Sequence, residues 1–344
     1  MLITSHDVAR FAGVSQATVS RALRGDSRVS AATQDRVRRA AEALNYVPSE
    51  AGRSLSTRTT RRIGVLVSDL TNPFYPHLIG PLHDELERCG YRMMLLAERS
   101  DDALVTEQLL DHSIDGAVLT TTSTGSGLPD ALRRKQLPFV FLNRVDGRDG
   151  VDGRNGADAA VVDNERGGRI AAAELAELGH RATGLLGGSD DTSTGREREQ
   201  GFVAGLADAG IVLPDNRIRR GPYDFDTGYF GLSELLAADP SITAVFCGND
   251  VVAIGAYNAA LRAGVRIPDE LTLVGFDDLP MASWEAFALT TIRYDLRAMA
   301  RAAARLLLER LSGEAPDSAQ RVVVDPELVR RGTHAPPLTA REER

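Results

Sequence analysis

Gln16, Ala17, Ser20 and Arg21 share one face of a short helical stretch, where they present short or hydrogen-bonding side chains and one guanidinium. That set suits base reading, because arginine pairs bidentately with guanine O6 and N7 in a major groove. Thr4, Ser15, Thr18, Arg24, Arg28, Ser30 and Thr33 are expected to join it in contacting DNA. A second polar set recurs further along, each member just after an apolar run. It comprises Asp69 and Asn72-Pro-Phe74, Thr120–Ser123, Asn143-Arg144, Asp163-Asn164, Ser189–Arg198, Tyr223, Asn249-Asp250 and Asp277-Asp278. Hydroxyl, carboxylate, amide and guanidinium groups beside aromatic faces suit a polyhydroxylated ring. Both sets bind; neither is a catalyst's.

The first set needs two helices to present it. Val8, Ala9 and Ala12 form one apolar helical face, with Thr4 or Ser5 ahead of it as N-cap. Gly13 stops that helix, since glycine enters the left-handed conformation without a Cβ penalty. Val14 fills the corner, and Ser15 caps a second helix running to about Leu23. Val19 and Leu23, at i and i+4, turn it back onto the first. Two short helices joined by a glycine-containing turn are a helix-turn-helix, whose second helix enters a major groove. Ser30 and Thr33 open a third helix, and Val37, Ala40, Ala41 and Leu44 close a miniature core. Tyr46-Val47-Pro48 is expected to end it, because proline disfavours helical geometry in its predecessor. Residues 49–60 read as linker by composition.

Charge divides the chain in the same place. Residues 1–62 hold eleven arginines against five acids, a net +6, while the whole chain carries −8, which leaves −14 on the remainder. A basic head on an acidic body presents one end to phosphates and repels them elsewhere. At 344 residues two or three structural units are expected. No apolar run approaches the roughly 18 residues of a membrane span, and the N-terminus lacks a signal-peptide core. Cys89 and Cys247 lack metal-ligand spacing and are expected to stay reduced in the cytoplasm.

From Arg62 the pattern becomes strand, turn, helix, repeated. Ile63–Val67, Arg92–Ala97, Gly116–Leu119 and Phe139–Leu142 read as buried strands, with helices near 74–89, 102–111 and 128–135. A second series runs through Ala160–Val162, Ala182–Leu186, Ile242–Phe246 and Leu271–Gly275, with helices near 166–178, 196–209, 226–238 and 249–263. A final helix, Leu296–Leu311, and a strand, Arg321–Val324, follow. Apolar strands alternating with amphipathic helices make parallel sheets covered on both faces. The expected fold is therefore an all-α helix-turn-helix headpiece plus an α/β core of two doubly wound parallel-sheet subdomains. In such sheets ligands sit outside the carboxyl ends of the strands, where the second polar set lies.

Asp7-Val-Ala-Arg-Phe-Ala-Gly-Val-Ser-Gln-Ala-Thr-Val-Ser-Arg21, then Val29-Ser30, then Leu44-Asn-Tyr-Val-Pro-Ser49, resemble the headpiece of the lactose/galactose (LacI/GalR) repressor family. The resemblance continues more loosely to about Gly332. It implies a headpiece over 1–48, a hinge over 49–61, a periplasmic-binding-protein-like core over 62–335 and a tail over 336–344. Within the core it implies an N-subdomain of about 62–162 and 292–320, and a C-subdomain of about 163–291 and 321–335. The hinge would form a helix on operator DNA, with Leu55 wedging into the minor groove. Gly52, where alanine is usual, costs that helix about 0.8–1.0 kcal/mol. The effector contacts implied are Phe74, Arg144, Asp163, Thr194, Arg198, Tyr223, Asn249 and Asp277. Arg198 and Asp277 sit in the local motifs Arg198-Glu-Gln-Gly-Phe202 and Val274-Gly-Phe-Asp-Asp278. Asn143 stands where many relatives carry aspartate. The resemblance implies a homodimer on palindromic double-stranded operator DNA, controlled by a small effector, a carbohydrate first and a purine, nucleoside or phosphoprotein corepressor second. The residues after Gly332 are too few and too proline-rich for a heptad coiled coil, so no tail-zippered tetramer is expected.

Enzyme signatures are missing. There is no P-loop, no Gly-x-Ser-x-Gly elbow, no His-Glu-x-x-His and no Cys-x-x-Cys. His180, in Leu178-Gly-His-Arg181, is expected to cap a helix C-terminus. Asp190-Asp191 and Asp277-Asp278 are adjacent carboxylates that point apart on most backbones, so neither a metal nor a cofactor is expected. A solute-binding protein is the reading from another class, which the basic head and missing export signal disfavour.

Overall fold

Three capped helices make up the head of the molecule. Asp7 accepts hydrogen bonds from the Thr4 amide and hydroxyl at 3.0 and 2.7 Å, which fixes the start of α1 (Ser5–Ala12). Gly13 ends α1 in the left-handed conformation with φ of 64°. The Ser15 hydroxyl then accepts from the Thr18 amide at 3.1 Å and starts α2 (Gln16–Leu23). Ser30 caps α3 (Ala31–Ala43). This third helix stops earlier than Pro48 requires, because Asn45 turns left-handed (φ 49°) and the Tyr46 amide returns to the Ala41 carbonyl. Val8, Ala9, Ala12, Val19, Ala22, Val37, Ala40 and Ala41 form the core.

The computed structural model describes residues 3–47, 59–97, 109, 113–147 and 156–338. Gly52 and Leu55, and with them the expected hinge helix, lie outside the described residues, as do most of the helix expected near 102–111 and residues 339–344 of the tail. Contacts group the chain into residues 1–60 and residues 61–344.

The second unit holds two six-stranded sheets. The first contains β1 (Arg62–Val67), β2 (Arg92–Ala97), β3 (Gly116–Leu119), β4 (Phe139–Leu142), β5 (Asp158–Val162) and β11 (Arg321–Val324), in the order β11-β5-β4-β3-β1-β2, all parallel. Its helices are α4 (Phe74–Arg88), α5 (Leu128–Arg134) and α10 (Leu296–Ser312). The second sheet contains β6 (Thr183–Gly187), β7 (Ile218–Arg220), β8 (Ala244–Cys247), β9 (Thr272–Phe276), β10 (Thr290–Arg293) and β12 (Glu327–Val329), in the order β12-β10-β9-β8-β6-β7. Only β12 runs antiparallel, against β10. Helices α6 (Asn164–Glu177), α7 (Ser193–Asp208), α8 (Phe225–Ala238) and α9 (Asp250–Ala263) belong to this lobe.

The chain crosses between the sheets three times, after Val162, after Arg293 and after Val324. Two assignments made from sequence are corrected by this topology. Ala160–Val162, grouped by pattern with the second series, lies in the first sheet between β4 and β11, as the N-subdomain bound at 162 implies, and Arg321–Val324, placed in the C-subdomain by resemblance, pairs in parallel with β5 in the first sheet. Both are short apolar runs, and nothing local says which sheet completes them. The short strands β7, β10 and β12 escape a reading of the sequence because each is three or four residues long and mixes polar with apolar side chains.

Close helix packing sets the stage for the site. A Cβ on Gly201 of α7 would lie 1.9 Å from the Glu165 carbonyl oxygen of α6, and one on Gly168 would lie 2.3 Å from the Arg198 carbonyl oxygen. Glycine at these positions lets α6 and α7 meet backbone to backbone, which brings Asn164 beside Arg198.

Candidate functional site

The headpiece presents Gln16, Ala17 and Arg21 on the exposed face of α2, with Ser20 half-buried at its edge. Several other predicted DNA contacts have structural partners. Thr4 is bound by Asp7, the Thr18 hydroxyl lies 2.9 Å from that of Ser15, and the Ser30 hydroxyl donates to Thr33 at 3.0 Å. Arg24 is exposed and donates through Nε to the Ser20 carbonyl at 3.1 Å. Arg28 grips Asp26 with both arms, Nε to Oδ1 at 3.0 Å and Nη2 to Oδ2 at 2.8 Å. That contact holds the Asp26 carboxyl well below the usual carboxylate range. The guanidinium is thus already matched to an anion, which distinguishes it from Arg21.

In the second unit a pocket lies between the lobes at the carboxyl ends of both sheets. It is lined by Asn72, Phe74 and Tyr75 at the start of α4, Asn143 and Arg144 after β4, and Thr194 and Arg198 of α7, with Tyr223, Asn249 and Asp277 completing it. Seven of the eight predicted effector contacts therefore meet. The eighth, Asp163, does not line the pocket: its carboxylate accepts from the Arg166 amide at 2.9 Å and caps α6. Its neighbour Asn164 reaches the site instead.

Arg198 organises the floor. Its guanidinium donates to Asn164 Oδ1 at 2.9 Å, to the Gly248 carbonyl at 2.6 Å and to Asp277 Oδ1 at 3.1 Å. It also stacks 3.7 Å from the Phe276 ring centroid, a cation–π contact that gains strength from burial. The Tyr294 hydroxyl donates to the same Asp277 oxygen at 3.1 Å. Both members of the ion pair have side chains only 3% exposed. Burial pushes the Asp277 carboxyl up from its ordinary range while the Arg198 charge pulls it back. Burial opposes the Arg198 charge, and the Asp277 carboxylate more than offsets it, so the guanidinium is held above its usual value. Asp277 and Asn143 occupy left-handed backbone, with φ of 106° and 75°. Aspartate and asparagine tolerate that region better than other side chains.

Asp250 braces the turn that carries Asp277. Completely buried at the start of α9, it accepts from the Leu279 amide at 2.7 Å and the Thr291 hydroxyl at 2.5 Å. Burial, and next the nearby Asp277 carboxylate, push its carboxyl well above the ordinary range.

The lobes touch around the pocket. Asn72 Nδ2 donates to the Tyr223 carbonyl at 2.8 Å, the Val145 amide to the Ser193 hydroxyl at 3.1 Å, and the Thr124 amide to the Asp191 carbonyl at 2.6 Å. The enclosed volume is about 20 Å³, room for about one water. Two polar atoms on its walls, Asn143 Oδ1 and Arg144 Nε, are buried without a hydrogen-bond partner, and the buried Thr194 and Tyr223 hydroxyls have only each other. Folded proteins rarely leave such atoms unmatched, since each costs about 1–3 kcal/mol.

Sequence reasoning missed Tyr75, Tyr294 and the direct role of Asn164, and it misread His180. The His180 ring caps no helix; Nδ1 lies 2.8 Å from the Thr243 hydroxyl and Nε2 lies 2.9 Å from the Ala335 carbonyl. The neighbouring Arg181 donates to the Ala176 carbonyl at the end of α6 instead. Asp190 pairs with Arg220 at 3.1 Å. Among the described residues no three His, Cys, Asp or Glu side chains group to hold a metal ion. Nor is any described helix long and apolar enough to cross a membrane.

Residues 4–49 match the sequence profile of bacterial regulatory proteins, lacI family, and residues 172–334 match that of the periplasmic binding protein-like domain. The HTH-type transcriptional repressor PurR of Photobacterium profundum is 33% identical over 342 residues, which cover 96% of this chain and 98% of that repressor. The solved complex of the transcriptional regulator CelR with cellobiose superimposes with a TM-score of 0.74 at 30% identity, covering 96% of this chain and 99% of that one. The lac repressor dimer bound to operator and the anti-inducer ONPF gives 0.84 at 26% identity, covering 97% and 100%.

Proposed function

The chain belongs to the lacI family of bacterial regulatory proteins and is a sequence-specific DNA-binding regulator of transcription, not an enzyme; from that premise we propose a repressor whose operator affinity is set by a sugar or sugar derivative held between the two lobes of its core. The observation that carries this reading is the set of four buried polar atoms facing one pocket beside the Arg198–Asp277 pair, two of them without any partner. Two hydroxyls, an amide oxygen and a guanidinium N–H offer both donors and acceptors, as a ring bearing several hydroxyls requires. Tyr223 and Phe74 supply aromatic faces. The CelR relative is a complex with cellobiose, which supports a carbohydrate as the first class of effector to test.

Because about 20 Å³ cannot take a sugar ring, the lobes must part to admit one. An effector would then act through its differential affinity for the open and closed arrangements. The repressor works as a homodimer on a palindromic operator, in the cytoplasm where that DNA lies. Thermal-shift measurements over mono- and disaccharides, nucleosides and purines test the reading. A carbohydrate should raise the melting temperature of the wild type and leave Tyr223→Phe less responsive, with operator binding retained. A response confined to purines, or one unchanged in Tyr223→Phe and Thr194→Val, would overturn it.

A further inference from the structure

Ser5 opens α1 and Gln16 opens α2, and the Gln16 amide Nε2 donates to the Ser5 hydroxyl at 3.1 Å. The two residues meet on rigid supports. The start of α1 is fixed by Asp7 bonding back to Thr4, and the start of α2 by Ser15 receiving the Thr18 amide. Behind them the fully buried Val8 and Val19 hold the helices together.

A free glutamine amide has two N–H donors and one carbonyl oxygen, and its last torsion is broad and two-fold. Once Ser5 takes the N–H anti to the carbonyl oxygen, the syn N–H donor and the carbonyl acceptor remain side by side. That pair complements adenine in the major groove, where N7 accepts and the N6 amino group donates. The hydrogen bond also restricts a long side chain before it meets DNA, which lowers the ordering cost of contact. We propose that Ser5 is a specificity-determining positioning residue of the DNA-reading face: by holding the Gln16 amide it sets that side chain to read the adenine of one A·T pair in each half-site. Ser5 makes no base contact in this role and acts through Gln16.

The test is in vitro selection from a random duplex library with the full-length protein, followed by competition binding against single-base variants of the enriched site. Wild type should enrich an A·T pair whose preference, about five- to a hundredfold, disappears in Gln16→Ala. Ser5→Ala should lose most of the preference at that same pair and keep every other position. Ser5→Thr, which retains the hydroxyl, should read as wild type, and Ser5→Ala with Gln16→Ala should be no worse there than Gln16→Ala alone. Arg21→Ala serves as the control and should affect a different pair. The proposal is overturned if Ser5→Ala leaves the motif intact, alters a pair other than the Gln16 pair, or weakens all sequences equally, as loss of a phosphate contact would. A G·C pair at the Gln16 position, or no enriched motif, overturns it as well.

Discussion

Removing either member of the Arg198–Asp277 pair should destabilise the core, but with different dependence on pH. Both side chains are only 3% exposed, and breaking such a pair from one side costs about 3–5 kcal/mol. In Asp277→Ala the guanidinium keeps Asn164, the Gly248 carbonyl and the Phe276 ring, so the loss should lie near the lower end, about 3 kcal/mol. Arginine does not deprotonate in this range, so the variant's own stability gains no pH dependence from this site. Arg198→Met instead strands a carboxyl that can escape its charge by taking a proton. Burial already raises the folded Asp277 above its ordinary value, and the variant removes the largest opposing influence. A carboxyl raised in the folded state contributes stability at low pH and forfeits it as pH rises above the unfolded value. The variant should therefore be mild near pH 5 and worsen by up to about 1.4 kcal/mol per pH unit, until the folded carboxyl itself ionises. Urea unfolding between pH 5 and 8, followed by Trp284, the single tryptophan, reads both curves from the same lobe. Parallel pH profiles, or a loss below about 1 kcal/mol in Asp277→Ala, would refute the claim that a desolvated ion pair anchors the pocket.

His180 gives a pH dependence of the other sign. Burial lowers it to about 4, so stability present above pH 6.5 should fall as pH drops toward 4, by about 3 kcal/mol in all, and His180→Gln should flatten that limb of the urea profile. Gly201→Ala places a Cβ against the Glu165 carbonyl, a backbone atom that cannot swing aside. It should cost about 1–3 kcal/mol in urea unfolding and blunt the effector-induced thermal shift, because α6 and α7 can no longer hold Asn164 against Arg198.

Much of the headpiece was legible because its signals are local. Thr4, Gly13, Ser15 and Ser30 act on residues within a few positions of themselves, so spacing alone places the helices. The alternation of strands and helices was legible for a similar reason. Membership of a sheet was not. Ala160–Val162 and Arg321–Val324 pair with each other across more than a hundred residues, and their side chains would serve in either lobe.

The pocket shows where sequence stops being enough. Asp163 and Asn164 sit side by side after a strand, and either could face a ligand. The helix start decides between them: Asp163 spends its carboxylate on the Arg166 amide, while Asn164, one step into the helix, turns toward Arg198. Tyr294 joins Asp277 only because β10 lies against β9, a pairing no local motif announces. The buried polar atoms of the pocket wall are further still from the sequence. Asn143 and Arg144 come from one lobe, Thr194 and Tyr223 from the other, and each is an ordinary polar loop or helix residue by itself. Their burial side by side exists only once the lobes close around them. The same closure leaves about 20 Å³ between them. A pocket that is at once unsatisfied and too small favours exchange between two lobe arrangements, because matching those atoms with an effector requires first separating the contacts that bury them.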